Sequence, residues 1–216
     1  MKKQADAQTL EVAHLAATYL IQGAADTFGS AKAKAARSLG LAANRNAPSN
    51  IDVQLALAEN LSLFEGKDWH TRVRRMREEA LRAMDFFVAF DPHLVGSVLY
   101  GTATEHSQIT LHLYTDEFEQ VVWRLTDAKI TFYLTETMLK IDGKFSQEFP
   151  TLEMSMADLD FDLVVFPLSF RFNPPASPLD GKPYLRADAK KLANLIDSNE
   201  VLFGKYFRRS AAEQFK

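Results

Sequence analysis

The chain changes texture at Asp91-Pro92, and that change limits the fold more than any other feature of the sequence. Before it, apolar residues recur at helical spacing. Leu10, Ala13, Leu15, Ala17, Leu20 and Ile21 can share one face. An alanine-rich segment over 30–41 follows, with Lys32, Lys34 and Arg37 on a basic side. Pro48 marks a loop over 44–50, and Ser49 or Asn50 can cap a helix running to Phe64. Beyond Gly66, Asp68 can cap a longer helix that reaches Phe90. After Pro92 the chain breaks into short β-rich runs over 93–99, 107–115, 130–134, 138–141, 152–156 and 160–167. Asp142-Gly143 and Pro150 act as separators between them. Asp116, with Glu119 three residues on, predicts a capped helix inside this region. A proline-rich loop over 173–183 precedes a helix over 187–196, and the tail carries Lys205, Arg208 and Arg209.

A chain that is helical first and mixed afterwards implies an α/β or α+β fold. The expectation is a short mixed β-sheet with flanking helices and an N-terminal helical extension. The expected division is a helical extension over 1–90 and a sheet domain over 91–170. A C-terminal loop and helix over 171–216 then pack on that domain. With 216 residues, 47% of them hydrophobic and 25% charged, the chain can bury a core of ordinary size. The net charge of -3 gives no field that gathers nucleic acid or an anionic membrane, so any phosphate contact must come from a local patch. The absence of cysteine excludes disulfides, thiolate metal sites and a cysteine nucleophile, and fits a cytoplasmic protein. Glu11, His14 and Gln22 interrupt the first apolar stretch, which therefore reads as a helix rather than a signal peptide. No apolar run reaches the roughly 18 residues that a membrane span needs.

The informative segment is 94–111. It holds a Gly96-Ser97 turn, a Gly101-Thr102-Ala103 stretch and the strand-like run Ser107-Gln108-Ile109-Thr110-Leu111. A glycine followed by a hydroxyl residue lets backbone N–H groups approach a phosphate closely. Positions 108 and 110 project to the same side of a strand. In these residues the segment resembles the signature of the DNA polymerase β-like nucleotidyltransferase superfamily, in particular its minimal bacterial members. Gly96, Ser97, Gly101, Thr102, Ala103, Ser107, Ile109 and Leu111 match in register, and the resemblance extends from Leu94 to Pro167. It implies a nucleotide held near Gly96, Ser97, Gly101, Thr102 and Ser107. It also implies Mg²⁺ held by paired carboxylates at 108 and 110 with a third from a neighbouring strand.

The sequence departs from that pattern where the metal is concerned. Gln108 and Thr110 stand at the paired positions and bring oxygen without negative charge. Asp162 matches the third carboxylate, and Asp160 lies on the same strand face. Val98 and Leu99 replace the basic residue that often follows the turn. The resemblance therefore implies a catalytically degenerate, nucleotide-binding pseudoenzyme. Two alternatives accompany it: an active transferase with an altered metal site using Asp162 and Asp160, and a non-enzymatic scaffold whose N-terminal helices bind a protein partner.

The remaining candidates have plainer readings beside the functional ones. His112 and Tyr114 share a face with Gln108 and Thr110, so a His112–Asp162 pair is conceivable, though a hydrogen-bonded histidine is the commoner outcome. Glu105 and His106 sit in a loop and are expected to face solvent. Arg72, Arg74, Arg75, Arg77 and Arg82 form the strongest basic cluster. Glu78 and Glu79 among them point to an ion-paired helix rather than a phosphate-binding one. The 177–183 segment is a turn or a mobile lid. Phe86, Phe87 and Phe90 are expected in the core.

Overall fold

The computed structural model describes residues 2–41, 47–141, 145–198 and 201–203. The predicted Asp142-Gly143 separator, part of the 44–50 loop and the basic tail residues Lys205, Arg208 and Arg209 lie outside the described residues. The fold is α/β, with seven α-helices and one mixed five-stranded sheet among the described residues. The chain divides into two compact units. One comprises residues 1–72, 102–106 and 201–216, and the other residues 73–101 and 107–200.

The first unit is helical. Helix α1 (Lys2–Ile21) packs on α2 (Phe28–Ser38) and α3 (Asn50–Phe64). Alanines at 13, 16, 17, 31 and 35 are fully buried, so these helices approach closely. Thr27 and Ser49 each open a helix with a reciprocal capping box, to Ser30 and Asp52. Each cap satisfies N–H groups that the first turn of a helix leaves without intrahelical partners. Helix α4 spans Gly66–Phe86, with residues from Val73 onward belonging to the second unit, and Asp68 lies in its first turn rather than at its cap. The helix stops short of the expected Phe90. Val88–Phe90 form a 3₁₀ turn, and Asp91 takes a left-handed conformation with φ 46.

The second unit contains the sheet, with strand order β1-β2-β5-β4-β3. Strand β1 (His93–Val95) is antiparallel to β2 (Ile109–Tyr114), which runs parallel to β5 (Leu159–Phe166). Strands β4 (Phe145–Met156) and β3 (Phe132–Ile141) complete it in antiparallel fashion. The 93–99 run is not one strand. Gly96 turns at φ 74 and opens helix α5 (Gly96–Tyr100), so the apolar Val98 and Leu99 are buried from a helix. The runs at 130–134 and 138–141 are likewise parts of one strand, β3. Pro150 does not separate strands; it sits inside β4 opposite Glu136. The ladder from β4 to β5 begins only at Thr151, and proline is tolerated at such a margin.

Helix α6 (Phe118–Asp127) begins at Glu117, not Asp116. The Asp116 carboxylate accepts the N–H of Leu168 instead, at 3.0 Å, and the Thr115 hydroxyl accepts that of Glu117. At its other end, Lys129 N–H donates to Thr126 and Ile130 N–H to Leu125, with Lys129 left-handed at φ 56. That is the helix-ending bond pair usually built around glycine. Helix α7 (Ala189–Ser198) follows the proline-rich loop two residues later than expected.

Candidate functional site

Residues paired across adjacent strands point to the same side, so the register defines each face of the sheet. One face is apolar over β1, β2, β5 and the adjoining part of β4: Leu94, Ile109, Leu111, Leu113, Phe161, Leu163, Leu152 and Met154 are all buried. The other face is graded. At one end lie Tyr114, Phe166, Phe149 and Leu139, a buried cluster with Phe170 and Tyr184 packed against it. Four residues back along the strands, Thr110, Asp162, Glu153 and Tyr133 form a row across β2, β5, β4 and β3. Burial falls along the same direction: Phe166 and Val164 are buried, Asp162 is half-buried and Asp160 is exposed.

A strap of chain covers the aromatic end. Ala176 bridges Lys140 on β3, and Ala187 bridges Leu94 on β1, with backbone hydrogen bonds of 2.8 Å at both ends. Between these anchors Tyr184 meets the His112 ring edge to face at 5.0 Å. Arg186 donates to the Tyr114 hydroxyl at 2.6 Å. The 177–183 segment is a turn. Ser177 and Lys182 share a backbone hydrogen bond of 2.7 Å, Asp180 accepts the Lys182 N–H, and Gly181 supplies the left-handed φ of 70.

The open end holds several of the residues singled out by sequence. Val95 pairs with Thr110, so the Gly96-Ser97 turn leaves β1 beside that threonine. A methyl group added at Gly96 would lie 3.9 Å from Thr110 Oγ1, an ordinary contact. Glycine is thus required there by its positive φ, not by lack of space. Thr110 pairs in turn with Asp162, and Asp162 with Glu153. Gln108 and Asp160 line a groove of about 580 Å³ with Lys129, Tyr133, Glu153 and Ser155.

Gly101 and Thr102 lie at the far end of α5. Gly101 ends that helix at φ 81, and Thr102 is fully buried with its hydroxyl accepting from Gln54 within the helical unit. Ser107 is half-buried just before β2.

The carboxylates at this end differ sharply in their satisfaction. Asp160 accepts from Ser155 at 2.6 Å and Glu153 from Thr135 at 3.1 Å. Asp162 Oδ1 is buried and has no hydrogen-bond partner. Burial, then the negative charges of Glu153 and Asp160, push the Asp162 carboxyl up to about 6. His112 is buried one step deeper, and burial pushes it down to about 3, with the Arg186 charge adding to the effect. It is therefore a neutral imidazole at neutral pH, packed against Phe166 and Tyr184 and with Nδ1 unpaired. No hydrogen bond joins it to Asp162, whose strand partner is Thr110.

The donor set can be tested against the Mg²⁺ that the sequence resemblance implies. The paired positions carry a neutral amide and a hydroxyl, and burial makes the remaining carboxyl at Asp162 harder to ionise than an ordinary one. Among the described residues, no group of three or more histidine, aspartate or glutamate side chains converges so as to hold a metal ion. These residues do not fit a two-metal clamp, which needs several charged oxygens around each ion.

The basic cluster on α4 is committed elsewhere. Arg72 binds Glu65, Arg74 pairs with Glu78 at 3.0 Å and Arg82 with Glu79 at 2.5 Å. Arg77 is buried and donates to the carbonyls of Val98 and Leu99, which end α5. Arg75 donates to Ala157 O. Glu105 and His106 are exposed, although the His106 ring closes over Gly23, where a Cβ would come within 2.7 Å. Sequence reasoning missed Glu153, Tyr133 and Lys129. The first two follow from alternation once β3 and β4 are paired, but no local signal gives that pairing. No helix of the described residues is long and apolar enough to cross a membrane. Compared with models of protein families, with curated proteins and with solved structures, the chain gives no significant match.

Proposed function

We propose that this chain is a nucleotidyltransferase-like protein that binds a nucleotide through its phosphate at the Gly96-Ser97 turn and transfers no nucleotidyl group. The observation that carries the reading is one juxtaposition. A glycine-hydroxyl turn leaves β1 beside Thr110, and Thr110 is paired with Asp162 on the neighbouring parallel strand. The resemblance read from the sequence assigns a phosphate contact to the first of these positions and metal-ligand roles to the other two. Fold-level likeness alone would not license the reading; the local match in register supports it.

Within that reading each residue has a defined part. Gly96 gives the chain its left-handed turn and leaves its amide side free of a side chain. Ser97 adds a half-buried hydroxyl that can donate to a phosphate oxygen. Gln108 and Thr110 supply neutral hydrogen-bonding groups where a transferase needs charge. Without that charge the leaving pyrophosphate has no counter-ion and the attacking hydroxyl no activator, so the chain binds and does not transfer.

The test is thermal unfolding against a panel of nucleotides, with and without Mg²⁺ or Mn²⁺. Ligand at about 100 times Kd adds roughly 2.7 kcal/mol of stability. The reading predicts a metal-independent rise in Tm for at least one nucleotide. A rise that needs metal and disappears in Asp162→Ala favours the active transferase instead. No response to any nucleotide favours the scaffold reading, and deletion of the helical residues 1–66 would then be the way to find a partner.

A further inference from the structure

We infer that, independently of the nucleotide reading, this sheet face binds a protonated amine, held between Asp162 and His112. Among the described residues, two buried side-chain polar atoms have no hydrogen-bond partner, Asp162 Oδ1 and His112 Nδ1. Both lie in one place. β2 and β5 are parallel, with Thr110 opposite Asp162 and His112 opposite Val164, so the two side chains are diagonal neighbours on the same face. Buried polar atoms are nearly always paired, because an orphan loses its hydration and gains nothing in return. One group bonded to both would satisfy the pair.

The surroundings define that group. His112 is only 1% exposed and meets the Tyr184 ring of the strap, so the site is closed on that side. Asp162 is half-buried, so a ligand enters from the open end. There Asp162 is paired across the strands with Glu153, and Asp160 stands two residues before it on the same face. The ion pairs among the described residues include none of these three carboxylates. Glu153 and Asp160 each accept a hydroxyl hydrogen bond, from Thr135 and Ser155, which leaves Asp162 as the carboxylate still to be satisfied.

Three carboxylates without a counter-ion select a cation, and the two orphaned atoms select its chemistry. A carboxylate oxygen accepts, and Nδ1 of the neutral His112 ring accepts when the ring proton is on Nε2. The ligand must therefore donate to both. A divalent metal lacks the ligands it needs, since no three histidine, aspartate or glutamate side chains converge among the described residues. A primary ammonium has one positive charge and three N–H donors, enough for Asp162, His112 and one bond more.

The experiment is an NMR titration of the isotope-labelled full chain with methylammonium chloride, against tetramethylammonium chloride and sodium chloride at equal ionic strength. The two ammonium ions carry the same charge, but only methylammonium has N–H donors. Methylammonium is expected to shift the Asp162 carboxyl carbon and the His112 ring nitrogens saturably, with a Kd on the order of 10 mM, near the ceiling for so small a ligand. Tetramethylammonium should bind at least about 10-fold more weakly, because it offers charge without hydrogen bonds. Asp162→Asn keeps the shape and removes the charge, and should weaken methylammonium by about 10-fold, with Glu153→Gln costing about 2- to 3-fold. The comparison of the two ammonium ions on the unaltered protein gives the answer should those variants fold poorly. An equal response to both ions means charge attraction alone and overturns the inference. Resonances unmoved by methylammonium well above that Kd overturn it too, and leave an internal water as the group between the two side chains. Neither result bears on the nucleotide reading, which the thermal-unfolding panel decides.

Discussion

The two ends of one sheet face are built from the same four strands and treat polar groups in opposite ways. At the covered end, Tyr114, Phe149 and Phe166 stack into a buried cluster, and the strap from Ala176 to Ala187 is hydrogen-bonded to both edge strands. His112 is admitted there only as a neutral ring. At the open end, carboxylates from β4 and β5 crowd together, and one buried oxygen of Asp162 has no partner. The first arrangement lowers the free energy of the fold. The second raises it, because an ionised carboxylate is held among others in partly dry surroundings. Four described residues other than glycine are left-handed: Lys129 lines the open groove, Ala157 and Asp158 form the turn from β4 to β5, and Asp91 precedes β1. Apolar burial is concentrated where the strap lies, and the unpartnered carboxylate oxygen where it does not.

The contrast breaks most severely if the aromatic end is hollowed out. Phe166→Ala removes a fully buried ring that touches Tyr114, Phe149, Phe170 and His112, and should cost about 3–5 kcal/mol in denaturant unfolding. A loss below about 1 kcal/mol would mean that the cluster is not a core.

The next largest effect is acid sensitivity from His112. Its folded pKa, about 3, lies below the unfolded value of 6.5. The unfolded chain therefore binds the extra proton, and the stability this gives is complete above pH 6.5 and is lost as pH falls towards 3. The expected slope is about 1.4 kcal/mol per pH unit across that window. Urea unfolding of His112→Leu from pH 7 to pH 4.5 should show this slope removed. An unchanged acid limb would place the titration elsewhere.

Asp162 carries the opposite sign. Its folded pKa, about 6, lies above the unfolded 3.8, so the folded state binds the extra proton between those values. The favourable contribution is complete below pH 3.8 and is lost as pH rises through 6. Asp162→Asn should therefore stabilise the protein at pH 7.5 by about 1–2 kcal/mol, allowing for partial exposure, and leave it unchanged at pH 4. Destabilisation at pH 7.5 would mean that a cation already compensates the carboxylate. The smallest effect is local. Lys129→Gly relieves a left-handed lysine at the end of α6 and should gain roughly 0.5–1 kcal/mol by thermal unfolding. A loss would show that the lysine side chain stabilises the fold through contacts of its own.

Much of this architecture was legible before any coordinates. Helical periodicity located α1 to α4, Ser49 announced a cap, and β-rich runs placed β2 and β5, because these signals are local in the chain. The failures came where distant groups decide. Val98 and Leu99 have strand-like neighbours, yet a glycine at positive φ bends them into a helix. Asp116 looked like a cap, but the Leu168 N–H, far along the chain, competes for its carboxylate. Pro150 looked like a break, and its tolerance depends on where the ladder to β5 begins. The candidate site divides in the same way. Gly96, Ser97, Thr110 and Asp162 were singled out by the resemblance of their segments to a known signature, and Thr110 and Asp162 are strand partners. Glu153 and Lys129 reach that end through strand pairing and a helix terminus, which no short motif encodes.

The central claim is that the open end binds nucleotide while the covered end does not respond. Amide chemical-shift mapping of the isotope-labelled protein, titrated with nucleoside monophosphate in EDTA, tests it most directly. The account predicts saturable shifts at Gly96, Ser97, Thr110 and Asp162, with Val164 and Phe166 nearly unmoved. Shifts confined to α1, α2 and α3, or absent throughout at millimolar nucleotide, would contradict it.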